Sequence, residues 1–379
     1  MSELINTIQK NPRWHLLTTV SMASLLVAIP ASAQDTGRPT VWVELGGQLE
    51  ALQGKEDVYA TPFILNNLDA PFNTQPLTDT QHPPGHAFGG EAKLLFRPEK
   101  SDWVFSAAVR FGRSNGKDRR HQQTSTQFTG KTFKYPTNHH FATKTVTRFN
   151  DTTVKYHTTH TILDFMVGKD VGFGMFGKGG SSTFNLGVRF AQFQRNSDVT
   201  FRSLPDPYYR SQVLKQFNFT NFNFNHHHSY YARLQAERSF HGIGPSISWD
   251  GSAPVAGHPD AGEVTFDWGA NAAVLFGRQR VKGFHKSNNL YFYGNIAQPT
   301  GLRLDVDYNN HPITRSRSTI VPNVGGFAGV SVRYPNVKVS LGYRADFFFG
   351  AMDQGIDTRD STTQSFNGPF ATVSIGLGG

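Results

Sequence analysis

The sequence predicts an all-β fold, a transmembrane antiparallel up-and-down β-barrel of about ten strands, with eight to twelve compatible with the pattern. Three observations predict it: an N-terminal export signal, period-two segments with one aromatic-rich apolar face, and connections that alternate between long and short. The 379 residues include 32 Phe, 37 Gly and no Cys, and the mean hydropathy is −0.42. An exported enzyme can share this low hydropathy, but the aromatic excess on period-two segments favours a barrel.

The first segment of the chain has the pattern of an export signal. Basic residues precede an apolar run at 16–29, and Ala31-Ser32-Ala33 follows it. This order is typical of a cleaved secretory signal, and the run is shorter than the roughly 20 residues of a spanning helix. We therefore expect residues 1–33 to be removed and residues 34–379 to form a single outer-membrane β-barrel domain with long extracellular loops.

The segment from Glu263 to Phe276 has the clearest strand pattern. Every even-numbered residue in it is apolar, and the odd-numbered residues up to Asn271 are polar or Gly. Successive side chains of a strand point to opposite faces, so one face is apolar and the other polar. At ~3.3 Å per residue and a tilt of ~40°, Phe266 and Phe276 lie roughly 25 Å apart, the height of the apolar band on a transmembrane barrel. Ala273 and Leu275 make the outer end of the polar face apolar.

Nine further segments alternate in the same way. They lie at 41–50, 91–97, 103–111, 163–167, 184–190, 230–237, 323–334, 337–346 and 371–377. The long, polar connections between strands are 51–85, 114–156, 196–227, 281–317 and 350–365, and the short ones are 98–102, 172–181, 250–262 and 335–336. Long outer loops and short periplasmic turns, with both termini periplasmic, are typical of outer-membrane barrels. Residues 302–306 and 217–224 are candidates for additional strands.

A soluble β-sandwich or barrel is the alternative architecture, since its strands also alternate. The export signal, the aromatic residues near the ends of the apolar faces and the two classes of connection favour the membrane barrel. The apolar faces would then contact lipid. Their girdle candidates are Trp103, Phe111, Phe165, Phe184, Phe266, Trp268, Phe276, Tyr334 and Tyr343.

The polar faces of the strands would line the lumen. The lumen-lining candidates are Glu44, Glu91, Lys93, Arg110, Asp164, Arg189, Arg233, Glu237, Asp267, Asn271, Arg333, Lys338, Arg344 and Asp346. With Glu50, which shares this face, the two signs of charge balance, so no ion preference is predicted. Unpaired buried charge is costly, so these groups either pair and plug the barrel or line a water-filled pore. A ten-stranded barrel is little wider than one that side chains fill, which predicts a narrow or gated conduit.

Patterns for catalysis or metal binding are weak. His226 and His228 can share a strand face, which is a weak metal-ligand pattern, and no zinc or calcium ligand spacing occurs elsewhere. Asp151 and His157 lie near the predicted mouth, where outer-membrane proteases of the omptin class carry Asp and His, but no motif marks them. We therefore expect neither enzymatic activity nor a bound metal or cofactor.

Charge is unevenly distributed along the chain. The net charge is +9, and residues 114–156 contain eight Lys or Arg against two Asp. A basic outer loop suits lipopolysaccharide phosphates, polyanionic surfaces or acidic solutes, and it is equally compatible with a merely solvated loop. The export signal argues against a nucleic-acid partner.

Five runs of residues resemble a known family. They are LDFMVGKDVGFGMFG (163–177), GVRFAQF (187–193), FHGIGPSISWDGSAPVAG (240–257), DWGANAAVLFGRQR (267–280) and GPFATVSIGLGG (368–379). They are similar to the pore-forming major outer membrane proteins first described in Legionella, which the chain before about residue 155 resembles only loosely. The resemblance implies an outer-membrane barrel with porin-like activity, no cofactor and no catalytic residues. Some of those porins are disulfide-linked, and a chain without Cys cannot be.

The predicted function is that of a pore-forming, porin-like outer-membrane protein that lets small hydrophilic solutes diffuse passively. Its partners would be outer-membrane lipid, lipopolysaccharide and those solutes. The alternative is a non-conducting barrel whose extracellular loops act in surface adhesion or ligand binding. The solute, the ion selectivity and the oligomeric state are left open by the sequence.

Overall fold

The chain folds into β-strands. The computed structural model describes residues 40–53, 85–99, 101–134, 138–171, 181–205, 225–258, 261–293, 302–309, 312–355 and 359–377. The strands formed by these residues are β1 (Val41–Gln53), β2 (Gly85–Phe96), β3 (Trp103–Lys134), β4 (Asn138–Asp170), β5 (Ser181–Pro205), β6 (Asn225–His258), β7 (Gly262–Tyr293), β8 (Leu302–Asn309), β9 (Ile313–Arg333), β10 (Val337–Asp353) and β11 (Ser361–Leu377). Within the described ranges, no helix is long and apolar enough to cross a membrane.

Ten of the described strands close into an antiparallel barrel. Each strand from β1 to β7 pairs with the next, β7 then pairs with β9, and β10, β11 and β1 complete the ring. β8 is additional, because it pairs only with the far end of β7, from Leu302 opposite Tyr293 to Asn309 opposite Lys286. The all-β barrel of about ten strands that the sequence predicts is confirmed.

The two ends of the barrel differ in their connections. The end near Val41 and Leu377, called here the terminal end, carries the short connections, including residues 334–336 between β9 and β10. The opposite end, called here the loop end, carries the three longest connections between ring strands, which follow β1, β5 and β7, and a short one at 135–137 between β3 and β4. Each of the ten predicted strands coincides with a strand of the ring, although 91–97 and 323–334 run one residue past the ends of β2 and β9, and β8 covers the candidate at 302–306. The export signal at 1–33 and the candidate at 217–224 lie outside the described residues.

Five predicted connections are wrong in extent, because strands continue through them; one is 350–365, where β10 reaches Asp353 and β11 begins at Ser361. β3 and β4 stay paired through most of 114–156, from Ser114 opposite Thr158 to Lys134 opposite Asn138. In the same way, strands occupy much of 196–227 and 281–317, and β6 runs through 250–258. Beyond the apolar belt the outward-facing residues are no longer apolar, but the backbone hydrogen bonds of the ladder do not require them to be. A pattern based on lipid-facing residues therefore ends before the strand does.

The outer surface of the barrel carries an apolar belt. Each of the ten ring strands contributes exposed large apolar side chains, among them Leu45, Leu94, Phe165, Val188 and Leu341. Water-soluble monomers rarely expose a contiguous apolar surface larger than a few hundred Å². An encircling belt of this kind is typical of the lipid-facing surface of a transmembrane barrel.

The apolar core lies inside the barrel, towards the loop end. It is called here the apolar layer, and its buried residues are Ile162, Ala191, Phe193, Phe240, Ala273, Leu275, Val321, Phe348, Ala351, Met352 and Phe366. The ring centroid of Phe193 lies 4.7 Å from that of Phe348, 5.4 Å from that of Phe366 and 5.7 Å from that of Phe240. Ring pairs at these separations are favourable. The layer thus joins β5 and β6 to β10 and β11 across the interior.

The turn between β6 and β7 depends on a glycine. Gly257 has a φ of 87°, and a Cβ there would collide with the carbonyl oxygen of Gly262. A left-handed backbone costs an L-residue about 1–2 kcal/mol before any collision is counted. We expect Gly257→Ala to lower the free energy of unfolding by about 2 kcal/mol, measured by urea titration in detergent. Gly283→Ala is the matched control, because nothing lies within 4 Å of the added Cβ, and equal losses would contradict this explanation.

Candidate functional site: the barrel lumen

The terminal end of the lumen contains a polar cavity of about 370 Å³, called here the vestibule. Its charged lining residues come from several walls of the barrel. They are Glu44, Glu91, Lys93, Arg97, Asp250, Asp267, Arg333, Lys338 and Arg344. A second cavity of about 220 Å³ shares Glu91, Lys93 and Arg344 with the vestibule and is also lined by Arg110 and Arg189. Polar space therefore extends from the terminal end to the middle of the barrel.

Hydrogen bonds from the walls hold the carboxylates of the vestibule. Asp267 accepts a hydrogen bond from Ser331, and its Oδ2 lies 2.7 Å from Lys338 Nζ. Ser374 Oγ donates to Glu44 Oε2 at 2.9 Å. The lining thus keeps ionised groups of both signs in fixed positions around an open space. Such a surface suits water and small polar solutes.

Ion pairs join opposite walls in the middle of the lumen, in a zone called here the ionic layer. Arg110 on β3 reaches across the interior to Asp346 on β10, with Nη1 and Oδ2 2.5 Å apart. Its Nη2 also lies 3.9 Å from Asp164 on the neighbouring strand β4. The Asp346 side chain is only 1% exposed, so its charge requires this pairing.

A second arginine extends the ionic layer. Arg189 on β5 donates from Nε and Nη2 to the two carboxylate oxygens of Asp164, at 2.6 and 3.0 Å. Its Nη1 donates to the side-chain oxygens of Asn271 on β7 and Asn323 on β9. Bidentate Arg–carboxylate pairs are strong and geometrically specific. Arg189 therefore fixes the distance between β5 and the opposite wall.

Arg344 on β10 forms the boundary between the vestibule and the ionic layer. Its Nη1 lies 2.5 Å from Glu91 Oε2 on β2. Its guanidinium carbon lies 4.9 Å from the ring centroid of Phe370 and 5.7 Å from that of Phe327, within the range of cation–π attraction. The position of this cation is thus fixed by one carboxylate and two rings.

A buried His–Glu pair runs along the wall next to the apolar layer. His160 Nε2 on β4 lies 3.3 Å from Glu50 Oε1 on β1, and both side chains are buried. Two glycines on the intervening strands, Gly89 and Gly112, make room, because a Cβ at either position would collide with this pair. The His160 ring also lies 4.1 Å from the Phe366 ring. The pair therefore connects four strands without projecting far into the lumen.

Polar groups return on the loop-end side of the apolar layer. Arg238 donates to Ser197 Oγ and to the Gln354 carbonyl oxygen, both at 3.1 Å. Arg315 Nε lies 2.9 Å from Asp353 Oδ2. From the terminal end outwards, the described lumen therefore consists of the vestibule, the ionic layer, the apolar layer and a second polar layer.

Most of the lumen residues predicted from the sequence lie on the inner face. These are Glu44, Glu91, Lys93, Arg110, Asp164, Arg189, Asp267, Asn271, Arg333, Lys338, Arg344 and Asp346, and Glu50 joins them. On β7, Ala273 and Leu275 follow Asn271 into the apolar layer. The inner face of this strand therefore changes from polar to apolar towards the loop end.

Arg233 and Glu237 lie on the outer face, and their assignment to the lumen is wrong. Their apolar neighbours Ala232 and Leu234 are fully buried inside, whereas the side chains of Arg233 and Glu237 are about half exposed. Beyond the belt the surroundings are aqueous, so apolar residues turn inwards and charges turn outwards, as in a soluble sheet. Arg233 pairs there with Asp198, at 2.7 Å. Partial burial raises the pKa of the Asp198 carboxyl, but the hydrogen bond and charge of Arg233 outweigh it and hold the pKa below its usual value.

Several lumen residues were missed in the sequence, and Asp250 and His160 show why. Asp250 lines the vestibule and accepts a hydrogen bond from Asn185 at 2.9 Å, but it falls in the predicted turn at 250–262. Continuing the period-two pattern through Ser246 and Ser248 would have placed it inside. His160 falls outside the predicted strand at 163–167, and no local pattern marks it.

The nine girdle candidates lie on the outer face of their strands. Seven have strongly exposed side chains: Trp103, Phe111, Phe165, Phe184, Phe276, Tyr334 and Tyr343. Phe266 and Trp268 are only half exposed. The Trp268 ring packs edge-on against Trp249, with centroids 5.0 Å apart. Contact of these residues with lipid stays a prediction.

The residues considered for catalysis are not brought together. Asp151 and His157 lie on the outer face of β4 with different partners, since Asp151 Oδ1 lies 2.6 Å from His121 Nδ1 and His157 contacts Asn115. The side chains of His226 and His228 lie outside the described residues. Among the side chains that the structure describes, no group of three or more His, Asp or Glu is arranged to hold a metal ion.

The similarity of this chain to known proteins is distant. No protein-family model matches the chain, and no curated protein matches it. Among solved structures, a deletion mutant of the monoaromatic hydrocarbon channel TodX (ΔS2S3) is 8% identical, with a TM-score of 0.23 over 90% of this chain and 91% of that one. The ΔS2 mutant is 9% identical (TM-score 0.20, 89% and 90% covered), and the P. putida toluene transporter TodX is 8% identical (0.17, 90% of each). These TM-scores are far below 0.5, so the likeness carries no functional information about this chain.

The cross-lumen pair of Arg110 and Asp346 is expected to be a major contributor to stability. Replacing one partner of a buried pair leaves the other charge uncompensated, which typically costs about 3 kcal/mol or more. We expect Asp346→Asn to lower the free energy of unfolding by about 3 kcal/mol, measured by urea titration in detergent micelles.

The exposed pair of Asp198 and Arg233 supplies the control. Asp198→Asn is expected to cost less than about 1 kcal/mol at neutral pH, because water screens this pair. The folded-state pKa of Asp198 is depressed, so its contribution is complete above the unfolded pKa of about 4 and disappears as the pH falls through the folded value. If both variants lost the same stability, the importance of the ionic layer would be contradicted.

Proposed function

We propose that this protein is a pore-forming, porin-like protein of the bacterial outer membrane through which small hydrophilic solutes diffuse passively. The vestibule carries the proposal, because it is a cavity of about 370 Å³ lined by fixed charges of both signs. A space of this volume holds many water molecules, and its charged lining suits ions and polar solutes. The proposal includes membership of the Legionella-type family that the five sequence runs resemble.

The apolar belt supports a location in the outer membrane. The belt surrounds the same part of the barrel that contains the vestibule and the ionic layer, so the polar lumen is shielded from lipid by one layer of wall. The terminal end would face the periplasm and the loop end the outside, as in other barrels with short turns at the end that carries the termini. Outer-membrane lipid and lipopolysaccharide would surround the belt.

The apolar layer would act as the gate. A constriction lined by apolar side chains blocks ions by excluding water, without needing complete steric closure. Phe348 and Met352 of β10 belong to this layer, and the register between β10 and β11 shifts between these two residues. Gly350, with a φ of 67°, lies inside the irregularity and has nothing within 4 Å of its position for a Cβ. This short segment is an irregularity in the backbone pairing next to the layer, and we infer that its movement opens the path.

A second candidate function is a non-conducting barrel whose loop end binds a surface or ligand. The observations in its favour are the ion pairs that cross the lumen in the ionic layer and the apolar layer, whose members are each at most 5% exposed. If the apolar layer stayed closed, the sheet that extends beyond the belt at the loop end would carry the function of the protein. The two candidates differ in conductance.

Planar-bilayer recording of the purified protein tests the pore. Wild-type protein is expected to give brief, small openings. Phe348→Ala removes a ring from the apolar layer and should raise the conductance or the open probability by roughly threefold or more, because a wider and less apolar constriction stays wet. Phe193→Ala, which removes the ring facing Phe348, is a second variant with the same expected direction.

Phe347→Ala is the matched control, since the Phe347 side chain points outwards from the adjacent position of β10. It should insert and conduct like the wild type. A heat-modifiable band on gel electrophoresis checks that each variant is folded. A tight electrical seal over many insertions of the wild type and of both lumen variants would exclude the pore and favour the binding function.

A further inference from the structure

Cationic side chains occupy consecutive outward positions on β7 just beyond the apolar belt. Val274 and Phe276 are exposed members of the belt, and Arg278, Arg280 and Lys282 follow on the same face. All three cations are exposed. At ~3.4 Å per residue, the Cα atoms of the first and the last lie about 14 Å apart. The outer face of β7 thus changes from apolar at Phe276 to basic at Arg278, which is the next residue on that face.

The strands beside β7 keep this basic column free of competing charge over most of its length. On β9, Ser318, Ser316 and Thr314 lie opposite the three cations. On β6 the opposite residues are His241, Ser239 and Glu237. Only Lys282 has a carboxylate within ion-pair distance among the described residues, Glu237 at 3.7 Å. The charges of the two arginines are therefore available to a ligand that binds to the outer surface of the barrel.

One hydrogen bond orients the first arginine. Arg278 Nε donates to Ser316 Oγ at 2.7 Å, so the guanidinium lies against β9 with its terminal nitrogens turned away from this contact. Hydroxyl groups of Ser318 and Ser239 lie beside the two arginines and can donate to the same anion. An array of arginines and hydroxyls suits phosphate oxygens, for which the planar guanidinium has a matching geometry.

An apolar floor lies directly below the basic column. Phe276, Ile320 and Ile243 occupy β7, β9 and β6 at neighbouring levels, and each side chain is more than half exposed. A ligand that fits both parts must carry acyl chains beside phosphate groups. Two phosphates on an extended sugar head would also match the length of the column, which a single phosphate of a small headgroup would not.

We propose that Arg278, Arg280 and Lys282, with the apolar floor below them, form a binding site for a phosphorylated glycolipid, the lipid A part of lipopolysaccharide. The acyl chains lie against Phe276, Ile243 and Ile320, and the phosphates contact the two arginines and Lys282. The inference rests on the proposed membrane location but not on conduction.

Native mass spectrometry of the full chain in detergent, titrated with bisphosphorylated lipid A, tests the site. The variant Arg278→Gln/Arg280→Gln/Lys282→Gln is expected to bind between about tenfold and 100-fold more weakly than the wild type, since each cation near a charged lipid surface contributes about fivefold. Monophosphorylated lipid A should lose about fivefold against the wild type for the same reason.

A matched triple variant, Arg119→Gln/Lys155→Gln/Arg202→Gln, removes the same charge from exposed positions at least eight residues beyond the belt residues Phe111, Phe165 and Val188 of β3, β4 and β5. It should weaken binding by less than about threefold, an amount expected of long-range attraction alone. Equal losses in the two triple variants, or equal binding of phosphatidylglycerol and lipid A by the wild type, would overturn the site. If the wild-type protein instead stayed soluble without detergent, the membrane location itself would be excluded. This outcome is distinguishable from failure of the lipid A site alone.

Discussion

The structure depends on one geometric constraint: every second residue of ten strands must point into a lumen too narrow to hydrate them all. Strands alternate their side chains strictly, so a barrel cannot choose which positions face inwards once its register is set. Here the inward positions receive Arg110, Asp164, Arg189 and Asp346 at one level, and their charges are compensated by pairing across the interior. The same pairs connect opposite walls. Filling the lumen and holding its cross-section are therefore done by the same side chains.

The residue types on the inner face change near the level at which the surroundings of the outer face change from lipid to water. Within the belt the outer face is apolar and the inner face polar, whereas beyond it the order reverses, as Leu234 and Arg233 illustrate. The apolar layer begins where this reversal starts, with Leu275 inside and Phe276 still in the belt. At that level both faces of β7 are apolar, and the wall there resembles a buried sheet. The gate proposed for the pore thus coincides with the transition between two solvents.

The period-two alternation of apolar and polar residues was enough to locate each ring strand. It also predicted, for most of the lumen candidates, that the side chain points inwards. For β7, even the change from polar to apolar along the inner face could be read from Asn271, Ala273 and Leu275. Strand ends were not predictable, because 114–156 lacks a lipid-facing signal while its backbone pairing continues. The cross-lumen partners were not predictable either. Pairing Arg110 with Asp346 depends on the strand order around the ring, and the sequence carries no local sign of it.

The barrel rim is lopsided. β3 to β7 rise far beyond the belt as a paired sheet, whereas β1 and β2 end much closer to it in the described residues. In the proposed orientation, antibodies and bacteriophages approaching the cell would touch the tall side first. The described parts of these strands beyond the belt contribute no side chain to the ion pairs of the ionic layer, so their exposed sequence can change while the lumen keeps its chemistry. The exposed surface of the barrel and its permeability would then be able to evolve separately.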